Sequence, residues 1–95
     1  MSHLANLEKT AADHLDYDID YGRWLPAGDI IVNAVATVDN TLATFVITNV
    51  EVADQVVRVW VDGGVDGEES DITILATTKG KREKEACFRL RIREH

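Results

Sequence analysis

The chain reads as a small all-β protein, an antiparallel β-sandwich of immunoglobulin-like kind preceded by an N-terminal arm. Three observations carry that reading. Six or so short stretches alternate apolar and polar residues with period two, as strands with one buried face do. Gly, Asp and Asn punctuate those stretches at short, regular intervals, and helical patterns are few. A length of 95 residues gives one domain with one modest core. The Cys-Trp-Cys pattern of antibody domains is absent, because Cys87 is the lone cysteine. The immunoglobulin-like expectation therefore rests on length and strand spacing.

Residues 1–14, MSHLANLEKTAADH, carry Leu4, Leu7 and Ala11 at spacings of three to four. That weak period predicts an arm or short helix ahead of a domain over 15–95. From Leu15, Asp16, Asp18 and Asp20 alternate with Tyr17, Ile19 and Tyr21. This is a strand with one wet and one apolar face, its aspartates repelling one another outside. Arg23–Asp29 is a turn, because Pro26 fixes its own φ and Gly28 tolerates positive φ. Ile30–Val38 follows, with Ile30, Val32, Ala34, Ala36 and Val38 on one face and Ile31 and Val35 on the other, the composition of a central strand. Asp39-Asn40 turns the chain into a β-branched stretch over Thr41–Val50 around Phe45, and Glu51–Asp54 is a polar break. In Gln55–Asp62, Val57, Val59 and Val61 share one face and Val56, Arg58 and Trp60 the other, which puts Trp60 outside the core or at its edge. Gly63-Gly64 and Asp66-Gly67 make a long turn. Asp71–Thr78 directs Ile72, Ile74 and Ala76 inward, and a tight turn centres on Gly80. The last strand, Glu83–Arg93, alternates Ala86, Phe88, Leu90 and Ile92 with Cys87, Arg89, Arg91 and Arg93.

Composition excludes several functions. A formal charge of -7 opposes nucleic-acid binding over the whole surface, since phosphate neutralisation needs Lys and Arg. Lys79, Lys81, Arg82, Lys84, Arg89, Arg91 and Arg93 gather in the last segment, so charge is polarised along the chain. No apolar run approaches bilayer length and no signal-peptide order opens the chain, so no membrane partner is expected. One cysteine forms no intrachain disulfide, which fits assembly in a cytosol. The acidic loop Asp62–Asp71, DGGVDGEESD, suggests calcium, but Gly64 and Thr73 stand where an EF-hand needs a ligand and its bidentate glutamate. A solvated loop is the better reading. His3, His14 and His95 lack zinc spacing, and no nucleophile elbow or Cys-His signature is present. Neither enzyme activity nor a cofactor is expected.

What remains is protein contact. Tyr21, Trp24 and Trp60 are the large aromatics suited to anchoring an interface, although Trp24 also suits plugging one end of a sandwich. Arg89, Arg91 and Arg93 form a row that could meet acids on a neighbouring subunit and orient docking.

Asp16, Asp20, Trp24, Leu25, Gly28, Asp29 and Ile30, in the order acidic-aromatic strand, Trp-Leu, turn, Gly-Asp and apolar strand, resemble the small fibre-tail adaptor proteins of tailed bacteriophages. Tyr21 stands where that family often has Trp. The resemblance continues through VWVDGGVDG at Val59–Gly67 and TTKGKR at Thr77–Arg82, spanning roughly residues 13–95. It implies a structural virion protein of the phage tail, assembled in the host cytoplasm. Such an adaptor would join the tail tube or nozzle to tail fibres or spikes, in multiple copies around a symmetric tail. Two other readings fit the residues alone: an immunoglobulin-like module recognising carbohydrate or a cell-surface ligand, and a capsid decoration domain.

Overall fold

A computed structural model describes residues 6–94. Seven strands run as β1 (Asn6–Lys9), β2 (Leu15–Asp20), β3 (Ile31–Val38), β4 (Val46–Ala53), β5 (Val56–Asp62), β6 (Glu69–Thr78) and β7 (Glu83–Ile92). They form two stacked sheets, one ordered β1-β7-β6-β3 and the other β2-β5-β4. All pairs are antiparallel except β1 with β7. Consecutive strands pair only in the β4–β5 and β6–β7 hairpins; every other connection crosses from one sheet to the other.

The core lies where the middle strands face each other. Val57, Val59 and Val61 of β5 are fully buried, as are Ile72 and Ile74 of β6 and Leu90 and Ile92 of β7. Period-two alternation in β5, β6 and β7 thus places the residues expected inside. Phe45 enters the same core from the segment before β4, at 2 % exposure.

The edges depart from expectation. Ile31–Val38 is an edge strand, with β6 as its single strand neighbour among the described residues, and not a central one. A bulge between Ile31 and Asn33 shifts the alternation by one, so the expected faces hold from Ala34 to Val38 and reverse only ahead of the bulge, at Ile30, Ile31 and Val32. Ile31 is buried, Val32 and Val35 are 53 % and 55 % exposed, and Ala34, Ala36 and Val38 are half-buried. The following strand begins later than Thr41 and runs through Glu51 to Ala53. The polar break is therefore only Asp54-Gln55, with Asp54 at φ 54°.

Residues 6–14 are neither arm nor helix. Asn6–Lys9 is paired in register with Arg89–Ile92, and Leu7 packs on the core. Lys9 is 2 % exposed, its ammonium donating to the carbonyls of Thr10 (2.6 Å) and Asp13 (2.9 Å). A lysine buried this way closes the turn that leads into β2. Residues 1–5 of the expected arm lie outside the described residues.

Candidate partner-contact surface

The corner between β2 and β3 is built around Asp29. Its backbone N–H donates to the Pro26 carbonyl, and the Gln55 amide donates to the carbonyls of Pro26 (3.2 Å) and Asp29 (2.9 Å). The Asp29 side chain, 8 % exposed, accepts from the Gly80 N–H (3.0 Å) and the Arg82 guanidinium (3.1 Å). A hydrogen bond from Thr78, with those from Gly80 and Arg82, holds its carboxyl below the usual value against the opposing effect of burial. Gly80 has no room for a side chain: a Cβ would lie 2.6 Å from the Arg82 guanidinium and 3.1 Å from the Asp29 carboxylate. Gly28-Asp29 and the TTKGKR turn, far apart in sequence, are thus one clasp at one pole of the sandwich. Spacing alone could not pair them.

Tyr21 lies inside this pole. It is fully buried, and its hydroxyl donates to the Ile74 carbonyl at 3.1 Å. The sequence reading grouped it with the interface aromatics; burial removes its side chain from any partner's reach. Burial also pushes its phenol well above the ordinary value, with the Glu85 charge adding to it. Trp24 caps Tyr21 edge-on, ring centroids 5.7 Å apart. The Arg23 guanidinium and Lys84 ammonium sit 5.5 and 5.3 Å from the Trp24 ring, within range of a cation–π attraction. Half-buried, Trp24 both closes the pole and reaches the surface.

Trp60 stands on the outer face of the three-stranded sheet, opposite Asp16 and Asn49. Its indole N–H donates to Glu51 at 2.6 Å, and the His14 ring is 5.3 Å away. Beside it, Arg58 lies 2.8 Å from Asp18 and 3.1 Å from Asp16. The three aspartates are therefore not a bare repelling row. The hydrogen bond from Arg58 lowers the Asp18 carboxyl, and Asp20 accepts from the Gly22 N–H. The signal was present in the sequence, since Arg58 shares the outward parity of the next strand, but the β2–β5 register was needed to read it.

Arg89 and Arg91 sit on the outer face of the four-stranded sheet and meet acids of their own chain. Register puts Asp71 opposite Arg89 and Glu69 opposite Arg91. Arg89 donates to Asp71 (3.0 Å) and Glu69 (3.2 Å), and Arg91 to Glu69 (2.9 Å). Arg93 lies 4.0 Å from Glu8. The row expected to face a neighbour's acids is a ladder already matched within the sheet. Cys87, on the same face, is 4 % exposed, and burial raises its thiol, aided by Asp71 and Asp39.

At the opposite pole, the acidic loop spends its carboxylates on the protein. Glu68 accepts from the N–H groups of Thr44 and Val65 and from the Thr44 hydroxyl, each at 2.9 Å. Asp66 accepts from the Glu94 N–H. Gly64 packs so close to Ile92 that a Cβ would lie 2.8 Å from its side chain. Among the described residues no group of three or more His, Cys, Asp or Glu side chains is placed to hold a metal, and no helix is long and apolar enough to cross a membrane.

Comparison with curated proteins returns no match. The family model described as podophage GP4 fiber-tail adaptor protein gp77 matches residues 9–91. That span contains the Asp29 clasp, the five complete strands β2 to β6 and most of β7. It covers most of the chain, which belongs to this family of structural phage-tail adaptors.

Proposed function

We propose that the domain is a non-catalytic adaptor that joins the tail tube or nozzle of the virion to tail fibres or spikes. Several copies assemble in the host cytoplasm around the tail axis. The family match over residues 9–91 carries this reading. The surface is consistent with it. Among the described residues each sheet ends in two edge strands, β1 and β3 in one and β2 and β4 in the other, and an edge strand can accept a strand from another protein. Trp24 and Trp60 are the aromatics left within a partner's reach. Arg89, Arg91 and Arg93 contribute together with their acidic partners, as a neutralised polar rim.

Lettering the strands A to G gives sheets A-G-F-C and B-E-D. This supports an immunoglobulin-like connectivity in which the first strand has joined the sheet of the last.

Reconstruction of purified particles tests the function. The domain's density is expected between the tail tube or nozzle and the fibre bases; density on the capsid, or its absence from particles, overturns the proposal. Trp60→Ala, on an outer face, is expected to leave the isolated domain folded and lower its incorporation.

A further inference from the structure

Short length, charged side chains and bulges keep a strand edge from pairing with another chain, and the edge strands differ in how many of these they have. β1 is four residues long and carries Glu8 and Lys9. β2 carries Asp16, Asp18 and Asp20, and β4 carries Glu51 and a bulge between Ile47 and Asn49. β3, IVNAVATV, is eight residues long with no charged side chain and no proline. Its bulge lies at the start, between Ile31 and Asn33, so Ala34–Val38 is regular.

The hydrogen bonds of β3 identify its outward backbone groups. Opposed residues of an antiparallel pair alternate between exchanging their N–H···O bonds and turning those groups away from each other. Asp39 continues the β3–β6 register opposite Asp71, and its N–H donates to the Asp71 carbonyl at 3.0 Å. By that alternation Thr37, Val35 and Asn33 bond to β6, whereas Val38, Ala36 and Ala34 turn their N–H and C=O groups to the edge. Ahead of the bulge, the Ile31 N–H is taken by the Asp54 carbonyl at 2.7 Å. No strand among the described residues pairs with the outward groups of Ala34, Ala36 and Val38. Apolar side chains flank this row. Val35, opposite Leu75, is exposed with it, as are Val32 and, on the adjoining β4, Val46 and Val52. Exposed apolar surface gathered along an open edge marks a site of protein contact.

We propose that β3 pairs with β3 of a second copy of this chain, antiparallel across a twofold axis at Ala36. An uncharged strand suits an uncharged partner, because a charge brought against it loses water without gaining a counter-ion. β3 itself meets that condition, and its spacing is self-complementary. With Ala36 opposite Ala36 of the second copy, Ala34 faces Val38 and Val38 faces Ala34. Every outward group then meets an outward group, in about six hydrogen bonds. An axis at Val35 would set Val38 against the bulge at Val32. An axis at Thr37 would set Ala34 against Asn40, whose N–H already donates to Ser70 at 2.8 Å. At the Ala36 axis Val35 lies opposite Thr37 of the second copy, a β-branched cross-strand pair. The contact is isologous and closed, and it joins two four-stranded sheets into one. It is a property of the chain itself and does not rest on the adaptor reading. The formal charge of -7 on each copy opposes approach at long range, so this contact tightens as salt rises, opposite to a charge-driven one.

Sedimentation equilibrium of the full chain at about 0.02 M and about 0.5 M salt tests the pairing. A monomer–dimer equilibrium that tightens with salt is expected, and in the dimer the amides of Ala34, Ala36 and Val38 should gain hydrogen-exchange protection. Mixed isotope-labelled copies should show nuclear Overhauser contacts between Val35 of one and Thr37 of the other. Ala36→Pro removes an N–H that β6 does not use, and with it both bonds at the axis, so dimerisation should weaken about thirtyfold. Val35→Lys, at an exposed position, should yield a folded monomer with an unchanged far-UV spectrum, whereas Val65→Lys, exposed in the β5–β6 loop, should leave the dimer intact. A chain that stays monomeric at its highest soluble concentration in both salts overturns the proposal. So does a dimer that Val35→Lys leaves unchanged, or one in which the Ala34, Ala36 and Val38 amides stay unprotected. Protection of those amides only on addition of purified tails would overturn self-pairing and give the edge to a strand of another protein.

Discussion

Tyr17 and Tyr21 stand on the same inward parity, yet among the described residues only Tyr21 finds an acceptor. That acceptor is the Ile74 carbonyl, 53 residues along the chain. Nothing local to the LDYDIDY stretch separates a core tyrosine with a distant partner from an interface anchor, which is why sequence reading placed Tyr21 at a surface. Tyr21→Phe is expected to cost about 1 kcal/mol, the net worth of a typical buried hydrogen bond, read as a lower urea midpoint; an unchanged midpoint would show that the bond contributes nothing. Asp29 is the residue on which two distant turns depend. Asp29→Ala should strip hydrogen-exchange protection from the Gly80 amide, which donates to it, while leaving amides of the β4–β5 ladder protected. Retained protection at Gly80 would sink the clasp.

At the scale of elements, the central strands and the edge strand β2 were legible, and the edges β1, β3 and β4 were less so. β5, β6 and β7 are flanked on both sides, so their alternation maps directly onto burial. β3 is flanked on one side and carries a bulge, so one unpaired residue reversed the faces its sequence implied at Ile30, Ile31 and Val32 while those from Ala34 onward held. β1, four residues long, is too short for any period to reveal, and it is specified by the groove beside β7 more than by its own pattern. The clasp was illegible for a related reason: it joins turns that only the sheet topology brings together. The arginine ladder makes a direct test of register. Arg89→Glu with Arg91→Glu sets like charges opposite Asp71 and Glu69 and should lower the melting temperature by several degrees; adding Asp71→Arg and Glu69→Arg should restore it. No recovery in the fourfold variant would mean the ladder is not the source of the loss. In the β6–β7 turn, Lys81 holds φ 66°, a conformation that costs an L-residue about 1 kcal/mol. Lys81→Gly should therefore stabilise the domain by up to that amount in urea denaturation.

For the molecule as a whole, three carboxylates with lowered folded values lie in different regions. Asp18 is lowered by its bond to Arg58, and Asp29 by Thr78, Gly80 and Arg82. At Glu68 burial opposes ionisation, but the hydrogen bonds from Val65 and Thr44 outweigh it together. A carboxylate lowered on folding contributes stability that is complete above its ordinary value and is lost as pH falls through the folded one. The ordinary values are 3.8 for Asp and 4.5 for Glu. The melting temperature should therefore fall as pH drops below about 4.5, and Asp29→Asn should flatten that fall; an identical acid profile in the variant would remove Asp29 from the linkage. The parallel pairing of β1 with β7 has a mechanical consequence. Tension applied ahead of Asn6 and beyond Ile92 pulls these neighbouring strands in opposite directions along their length, so their shared hydrogen bonds are loaded in shear and resist together. Pulling a hairpin apart from its open end breaks its bonds one after another. A domain loaded in this way can hold two bodies together against a sustained pull while its core stays unstretched.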